Sequence, residues 1–401
     1  MHMKKCFCFP FLCLLLTAAS CENIDSLIRI GDEDSPSGVR ELVSLQDIAV
    51  LLSSAGLEKE HVGEVYDAVS QSRVNGYDEE YTMKDLFECP GAGVGQDKSK
   101  AGTDGKEYPN PLRGLFERYY ASSSSKTRAG TTANDYLDYI SGSDMQIYWP
   151  YSEKWDGKTM PVITFDPRSE APTNVGWEMG PDGTLKEVSV SEDMAQERPV
   201  WVINRNDDAS FTSLEMLRQS DPHWSEGGSL VIKSKAGATA SSGVKTLVLK
   251  DFTMMRNYDG WFAGASEFFI KIASIDAFTA STEAEMYLYN PSVTDFMVVV
   301  KRNQVGKPQE LNTVLVSEWT NQLQSCAFMI IEDDGGTRTS WECSAVVKYE
   351  SKSYGFEVKI PYNSRDDIVW RGSLGRKYIE ATNDLSGWFG DVQIVFSIVD
   401  L

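Results

Sequence analysis

Residues 354–360 read Tyr354-Gly355-Phe356-Glu357-Val358-Lys359-Ile360. In an extended chain successive side chains point to opposite faces. Tyr354, Phe356, Val358 and Ile360 therefore share one face, and Gly355, Glu357 and Lys359 share the other. One buried and one wet face is the signature of an antiparallel sheet. The same short-strand rhythm runs outward in both directions. Downstream it predicts strands at 368–372 and 393–399. Upstream it predicts them at 339–350, 326–331, 313–319, 295–301, 284–289, 267–275 and 246–253. A sparser set follows at 200–204, 187–190, 160–165 and 144–149. Gly, Asn and Pro turns separate them, and no helical stretches are interleaved, which argues against a parallel α/β sheet. The prediction is a mainly β protein: an antiparallel β-sandwich-like body in two parts, 138–245 and 246–401. Leu214 and Leu217 suggest a short helical turn before Pro222.

Between two of these strands lies Ile331-Glu332-Asp333-Asp334-Gly335-Gly336-Thr337-Arg338. Asp-Gly favours a two-residue hairpin turn. With Asp334-Gly335 as the loop, Asp333 pairs with Gly336, and counting outward sets Cys326 opposite Cys343. That pair is predicted to face, in a geometry able to form a disulfide. A one-residue slip would break the pairing.

The period changes before residue 90. Ser44 and Asp47 have capping-box spacing ahead of Leu45, Ile48, Ala49 and Leu52, and Gly56 stops that helix. Val62, Val65, Tyr66 and Val69 make a second stripe, closed by Asn75-Gly76. His61 falls off the stripe and is expected to be exposed. Thr82 and Asp85 cap a short third helix that ends before Pro90. The segment 42–120 thus reads as a small helical unit with an irregular tail, a cap on the body or a weakly independent domain. Residues 121–137, with Ser122 to Ser125, read as a linker.

The first residues are an address. Lys4 and Lys5 precede an apolar run from Cys6 to Leu16, then Thr17-Ala18-Ala19-Ser20. This is the layout of a secretory signal peptide over 1–20, and the run is too short to span a bilayer. Ala18-Ala19-Ser20-Cys21 resembles the lipobox of bacterial lipoproteins, with Ala18 where a Leu is usual. The resemblance implies cleavage before Cys21 and acylation of Cys21, which becomes the membrane anchor. Glu22 stands where an Asp retains some lipoproteins in the inner membrane, so the expected destination is the outer membrane, facing the periplasm or the cell surface. Residues 21–41, with Gly31-Asp32-Glu33-Asp34-Ser35-Pro36, read as a solvated tether. Lipobox, acidic tether and β-rich body together resemble the secreted lipoproteins of Bacteroidetes. The stretches 148–167 and 341–372 are similar to an uncharacterised family within that group, which implies location and composition but no activity.

Charge narrows the partners. The 401 residues carry 59 Asp and Glu against 38 Lys and Arg, a net charge of −21. Nucleic-acid affinity rests on Lys and Arg displacing counterions, so nucleic acid is excluded as a partner. With 41% hydrophobic residues the chain can bury real cores.

Few residues have the spacing of known chemistries. Beyond the leader only His61 and His223 remain, so a histidine-based zinc site or a Ser-His-Asp triad has little to work with. Gly91, Gly93 and Gly95 lack the strand, GK[ST] ending and helix of a phosphate loop. The doublets Asp207-Asp208, Asp333-Asp334 and Asp366-Asp367 fall where solvated turns are expected. Asn204, Asp207 and Asp208 leave a strand with hard oxygen donors and form a loop Ca²⁺ candidate. Trp149, Tyr151 and Trp155 are the ligand-binding candidates. Exposed they would make a recognition surface, whereas strand alternation would bury about half of them. Tyr258-Asp259-Gly260-Trp261-Phe262 is a second aromatic cluster. No catalytic residue and no cofactor is assigned. The expected role is binding or structural, toward glycan, peptide or an envelope protein. The alternatives are a carboxylate-dependent hydrolase and a subunit of a surface assembly.

Overall fold

The computed structural model describes residues 41–88, 108–122, 131–169, 171–180, 182–206, 211–220, 245–283, 293–316, 319–334 and 336–400. Cys21, the leader and the tether up to residue 40 lie outside these residues. So do Cys89, residues 91–95, Asp207, Asp208, His223 and the expected strand at 284–289. Within them the protein is mainly β and its sheets are predominantly antiparallel.

The helices come first. At the start of α1 (Leu45–Ser54), Ser44 Oγ accepts the Asp47 N–H at 3.1 Å and the Asp47 carboxylate accepts the Ser44 N–H at 2.8 Å. Two orphan donors of the helix end are thereby satisfied, as the spacing predicted. α2 (Lys59–Val74) opens differently: His61 Nδ1 accepts the Glu58 N–H at 2.9 Å. His61 is fully buried rather than exposed. Its ring folds back over the helix start, where burial lowers its pKa and favours the neutral, hydrogen-bond-accepting form. Thr82 caps the short α3 (Met83–Phe87). α4 (Arg113–Ala121) and α5 (Ala133–Ser141) follow. α5 takes the end of the expected linker, because Thr132 and Asp135 close another capping box and Tyr136 stacks on Tyr120 at 4.8 Å.

These helices are not a separate domain. They cover one face of a sheet with order β1-β2-β6-β3-β4-β5, made of β1 (Glu80–Thr82), β2 (Met145–Tyr148), β3 (Val162–Phe165), β4 (Thr173–Met179), β5 (Leu185–Ser191) and β6 (Val200–Arg205). Ile48, Leu51, Val65 and Phe116 share one core with Ile147, Ile163, Trp177 and Trp201. Each such aliphatic side chain gains about 1.5–3 kcal/mol on burial, which ties cap to sheet. The run Val200-Trp201-Val202-Ile203 is apolar throughout because β6 is central and covered on both faces. Trp201 and Ile203 face the helices, and Val200 and Val202 face the other side with Tyr148 and Val162. β3 and β6 are parallel; the other pairs in this sheet are antiparallel. α6 (Glu192–Glu197) follows β5.

The rest is a sandwich. One sheet has order β10-β7-β16-β15, from β7 (Lys245–Met254), β10 (Gln309–Val316), β15 (Ser386–Phe389) and β16 (Val392–Asp400). The other has order β13-β12-β8-β11-β14, from β8 (Ser266–Thr279), β11 (Leu323–Glu332), β12 (Arg338–Tyr349), β13 (Lys352–Asn363) and β14 (Asp367–Gly375), with β9 (Val293–Val300) added on β8. Phe252, Phe268, Phe328, Phe389 and Phe396 fill the space between them. Alternate residues of the second sheet, Phe269, Met329 and Ile331, enter another cluster on its outer face with Tyr77. α7 (Leu214–Ser220) sends Leu214 into the first of these clusters and Met216 into the second, so it belongs with the sandwich rather than with 138–245. α8 (Arg376–Ala381) closes β14.

The Cys326–Cys343 hairpin is not made. β11 pairs with β8 and β14, setting Cys326 beside Leu374, while β12 pairs with β13, setting Cys343 beside Val358. Cys326 lies inside the sandwich and Cys343 in the outer-face cluster. The all-apolar run of β11 requires partners on both edges and cover on both faces, and that requirement overrides the local Asp-Gly signal. The tight hairpin is instead β12–β13, where Tyr349 pairs with Lys352 and Glu350 takes a left-handed φ of 52°.

Candidate functional site

Where the helix-capped sheet meets the sandwich, the chain leaves a cleft of about 360 Å³. Arg73, Tyr77 and Glu79 line it from the segment joining α2 to β1, and Lys301 and Asn303 line it from the end of β9. Gly76, at φ 79°, makes the close approach of α7 workable: a Cβ there would stand 2.0 Å from Glu215 Oε2. Tyr77 holds α7 from below, its hydroxyl donating to Phe211 O at 3.1 Å and accepting the Ser213 N–H at 3.2 Å.

Glu79, 4% exposed, anchors the floor. Oε1 accepts the Ser152 hydroxyl at 2.7 Å and the Ser152 N–H at 3.2 Å; Oε2 accepts the Tyr151 N–H at 3.1 Å. These bonds hold Tyr151 in a left-handed conformation, φ 60°, which an L-residue adopts at a cost. Burial pushes Glu79 up to about 7, against the pull of Lys301. Arg73 Nη1 lies 3.6 Å from Glu79 and 3.9 Å from Glu153. Asp78, on the next residue back, accepts the Ala265 N–H at 2.9 Å, and burial raises its pKa.

Lys301 supplies the contrast. Its ammonium has no hydrogen-bond acceptor among the described residues, and burial lowers its pKa while Glu79 and Asp78 push it back up. Arg302, its neighbour, is fully committed. Nε and Nη2 grip Glu192 at 2.7 and 3.2 Å, and Nη1 donates to Asp259 O at 3.0 Å. Glu192 also accepts the Tyr151 hydroxyl at 2.8 Å. Burial would raise Glu192, but Arg302 and Tyr151 together hold it below the usual carboxylate range. Arg302 and Tyr151, from the two sides of the seam, are thus joined through one carboxylate.

The connection between β7 and β8 closes the seam elsewhere. Trp261 and Phe262 cover the second face of the first sheet, against Tyr148, Val162 and Val202. Asn204 secures them: its Nδ2 donates to Phe262 O at 3.2 Å and to Ala263 O. The Nδ2 of Asn204 thus serves packing, and the co-ligands expected with it in a Ca²⁺ loop, Asp207 and Asp208, lie outside the described residues. The second aromatic cluster is core at Trp261 and Phe262.

Trp149, Tyr151 and Trp155 do not form a surface shelf. Trp149 is 1% exposed and packs edge-on against Tyr66, Trp155 and Trp201. Trp155 is half-buried, its indole N–H donating to Thr159 O at 2.9 Å. Beside the three is a hollow of only about 120 Å³. The two acid doublets among the described residues, at the end of β11 and the start of β14, each split, with Asp333 and Asp366 buried and Asp334 and Asp367 exposed. The first two are therefore not in solvated turns. Hard oxygen donors converge instead at Asp259, Glu267 and Glu332. Glu79 and Lys301 were missed by sequence reasoning. Their signals were an acid triplet, Asp78-Glu79-Glu80, bracketed by Tyr77 and Tyr81, and a Lys301-Arg302 pair ending an apolar strand. Compared with family models, with curated proteins and with solved structures, the chain matches none.

Proposed function

We propose that the chain is an exported envelope lipoprotein, anchored through acyl groups on Cys21, that binds the end of a glycan in the seam cleft. The observation that carries the reading is Lys301, a cation in the cleft whose ammonium lacks an acceptor among the described residues. That ammonium is shut off from solvent; turned toward the cleft, it would meet a ligand hydroxyl or carboxylate, and a buried donor left unmade is costly. Around it Asn303, Gln304 and Gln309 bring amides, and Glu153 and Glu310 bring carboxylates. Such planar donors and acceptors suit sugar hydroxyls. The volume falls in the range of about 300–1,000 Å³ typical of ligand pockets.

The raised Glu79 is what a hydrolase would want of a general acid. Both its oxygens, however, are taken by Tyr151 and Ser152, and Arg73 stands between it and Glu153. That arrangement favours a structural carboxylate over a catalytic pair. A role in surface assembly draws on β15, an edge strand whose Trp388 is 62% exposed.

The test is an array of neutral and acidic glycans probed with the full-length protein and with Lys301→Met. Retention on one glycan class, lost at least tenfold in the variant with an unchanged circular dichroism spectrum, is expected. No retention, or equal retention by the two proteins, overturns the reading.

A further inference from the structure

Asp259, Glu267 and Glu332 come from three places: the β7–β8 connection, the second residue of β8 and the last residue of β11. One carboxylate oxygen from each lies within 4.8 Å of the other two. Oxygen ligands stand about 2.3–2.6 Å from Ca²⁺, so two ligands of one ion are separated by no more than about 5 Å. The three oxygens fit a single coordination sphere.

The group is sequestered from water. Glu332 is 1% exposed and Glu267 is also buried. Asp259 Oδ2 is shut off from solvent, receives no N–H among the described residues, and faces the Glu332 carboxyl. Asp366, 9% exposed, stands against Asp333 beside this group, and its Oδ1 is likewise shut off from solvent. Arg302 reaches Asp259 only at the carbonyl oxygen and spends its other donors on Glu192. The frame is fixed by backbone: Asp333 N–H donates to Glu267 O at 3.0 Å, and Glu332 pairs with Phe268. An all-carboxylate donor set without His or Cys selects a hard cation over zinc. Ligands drawn from a loop and two strands suit the irregular sphere of calcium better than the strict octahedron of magnesium.

We propose that Asp259, Glu267 and Glu332 bind one calcium ion, which fastens the β7–β8 connection to the rim of the sandwich. This goes beyond the cleft reading and does not depend on it. The same connection carries Trp261 and Phe262, so the ion stiffens the plug on the first sheet. Affinity belongs with that of extracellular modules, a Kd of about 10⁻⁴–10⁻³ M.

The experiment titrates CaCl₂ into full-length protein stripped with EDTA, followed by calorimetry and by thermal melting. One Ca²⁺ per chain, a melting temperature that rises with CaCl₂, and a smaller rise in equal MgCl₂ are expected. Asp259→Asn and Glu332→Gln each weaken binding at least tenfold, while Glu342→Gln, exposed on β12, leaves it unchanged. In EDTA, Asp259→Asn melts no lower than the wild type, since the amide relieves the crowding of three carboxylates and can donate to Glu332, which separates lost ligation from lost fold. Absence of a calcium-dependent shift in the wild type, or an equal shift in Asp259→Asn, overturns the proposal.

Discussion

Raising the pH from 5 to 8 should weaken this protein, and Glu79 should account for a measurable share. In the unfolded chain the Glu79 carboxyl titrates near 4.5; in the folded protein burial holds it at about 7. Between those values the folded state carries a proton that the unfolded state has lost, so stability falls as pH rises through this window. The contribution is fully present below the lower value and exhausted above the upper one. The gap of two to three pH units corresponds to about 3 kcal/mol, at about 1.4 kcal/mol per pH unit. Against a total of roughly 5–15 kcal/mol, that is a large fraction. Asp78 and Glu64 are raised by burial too and add slope of the same sign, while His61, lowered by burial, opposes it. Glu79→Gln isolates this contribution. The amide keeps an acceptor for Ser152 but sets its NH₂ against the Tyr151 N–H, a cost of about 1–3 kcal/mol that does not vary with pH. The variant therefore starts lower and loses less. Urea melts at half-unit pH steps, wild type against variant, read the difference in slope. Parallel curves from pH 5 to 7 would show that Glu79 is ionised throughout and that the reasoning about burial is wrong.

Two further outcomes follow from the same structure. Trp149→Ala should cost about 3–5 kcal/mol in urea melts, the usual cost of a fully buried aromatic, and Trp155→Ala clearly less because its ring is half-buried; equal small losses would mean the rings are a surface feature. Cys21→Ala should yield unprocessed or soluble product in cell fractionation, whereas recovery of processed, membrane-bound protein would refute acylation at that residue.

Local signals proved reliable where a short stretch decides its own structure. The alternation at 354–360 became β13, and Ser44 with Asp47 capped α1 as their spacing required. Signals failed where distant residues outbid local ones. Asp334-Gly335 called for a β11–β12 hairpin, but β11 gains more apolar contact between β8 and β14. His61 lay off the apolar stripe, yet capping its own helix buried it. The cleft was the least legible part. Glu79 and Lys301 are more than 200 residues apart, and nothing local to either announces that one faces the other across a seam.

The insertion of Trp261 and Phe262 into the first sheet has a bearing on how the chain is made. Synthesis delivers residues in order, and the strands β1 to β6 are complete by Arg205. Their second face still exposes Tyr148, Val162, Val200 and Val202 until the plug arrives more than fifty residues later. An N-terminal half that cannot close on its own stays loose and in need of chaperoning during that interval. For the export proposed above the delay is useful: a half that cannot set into a rigid body until the plug has been made stays threadable while synthesis is still under way.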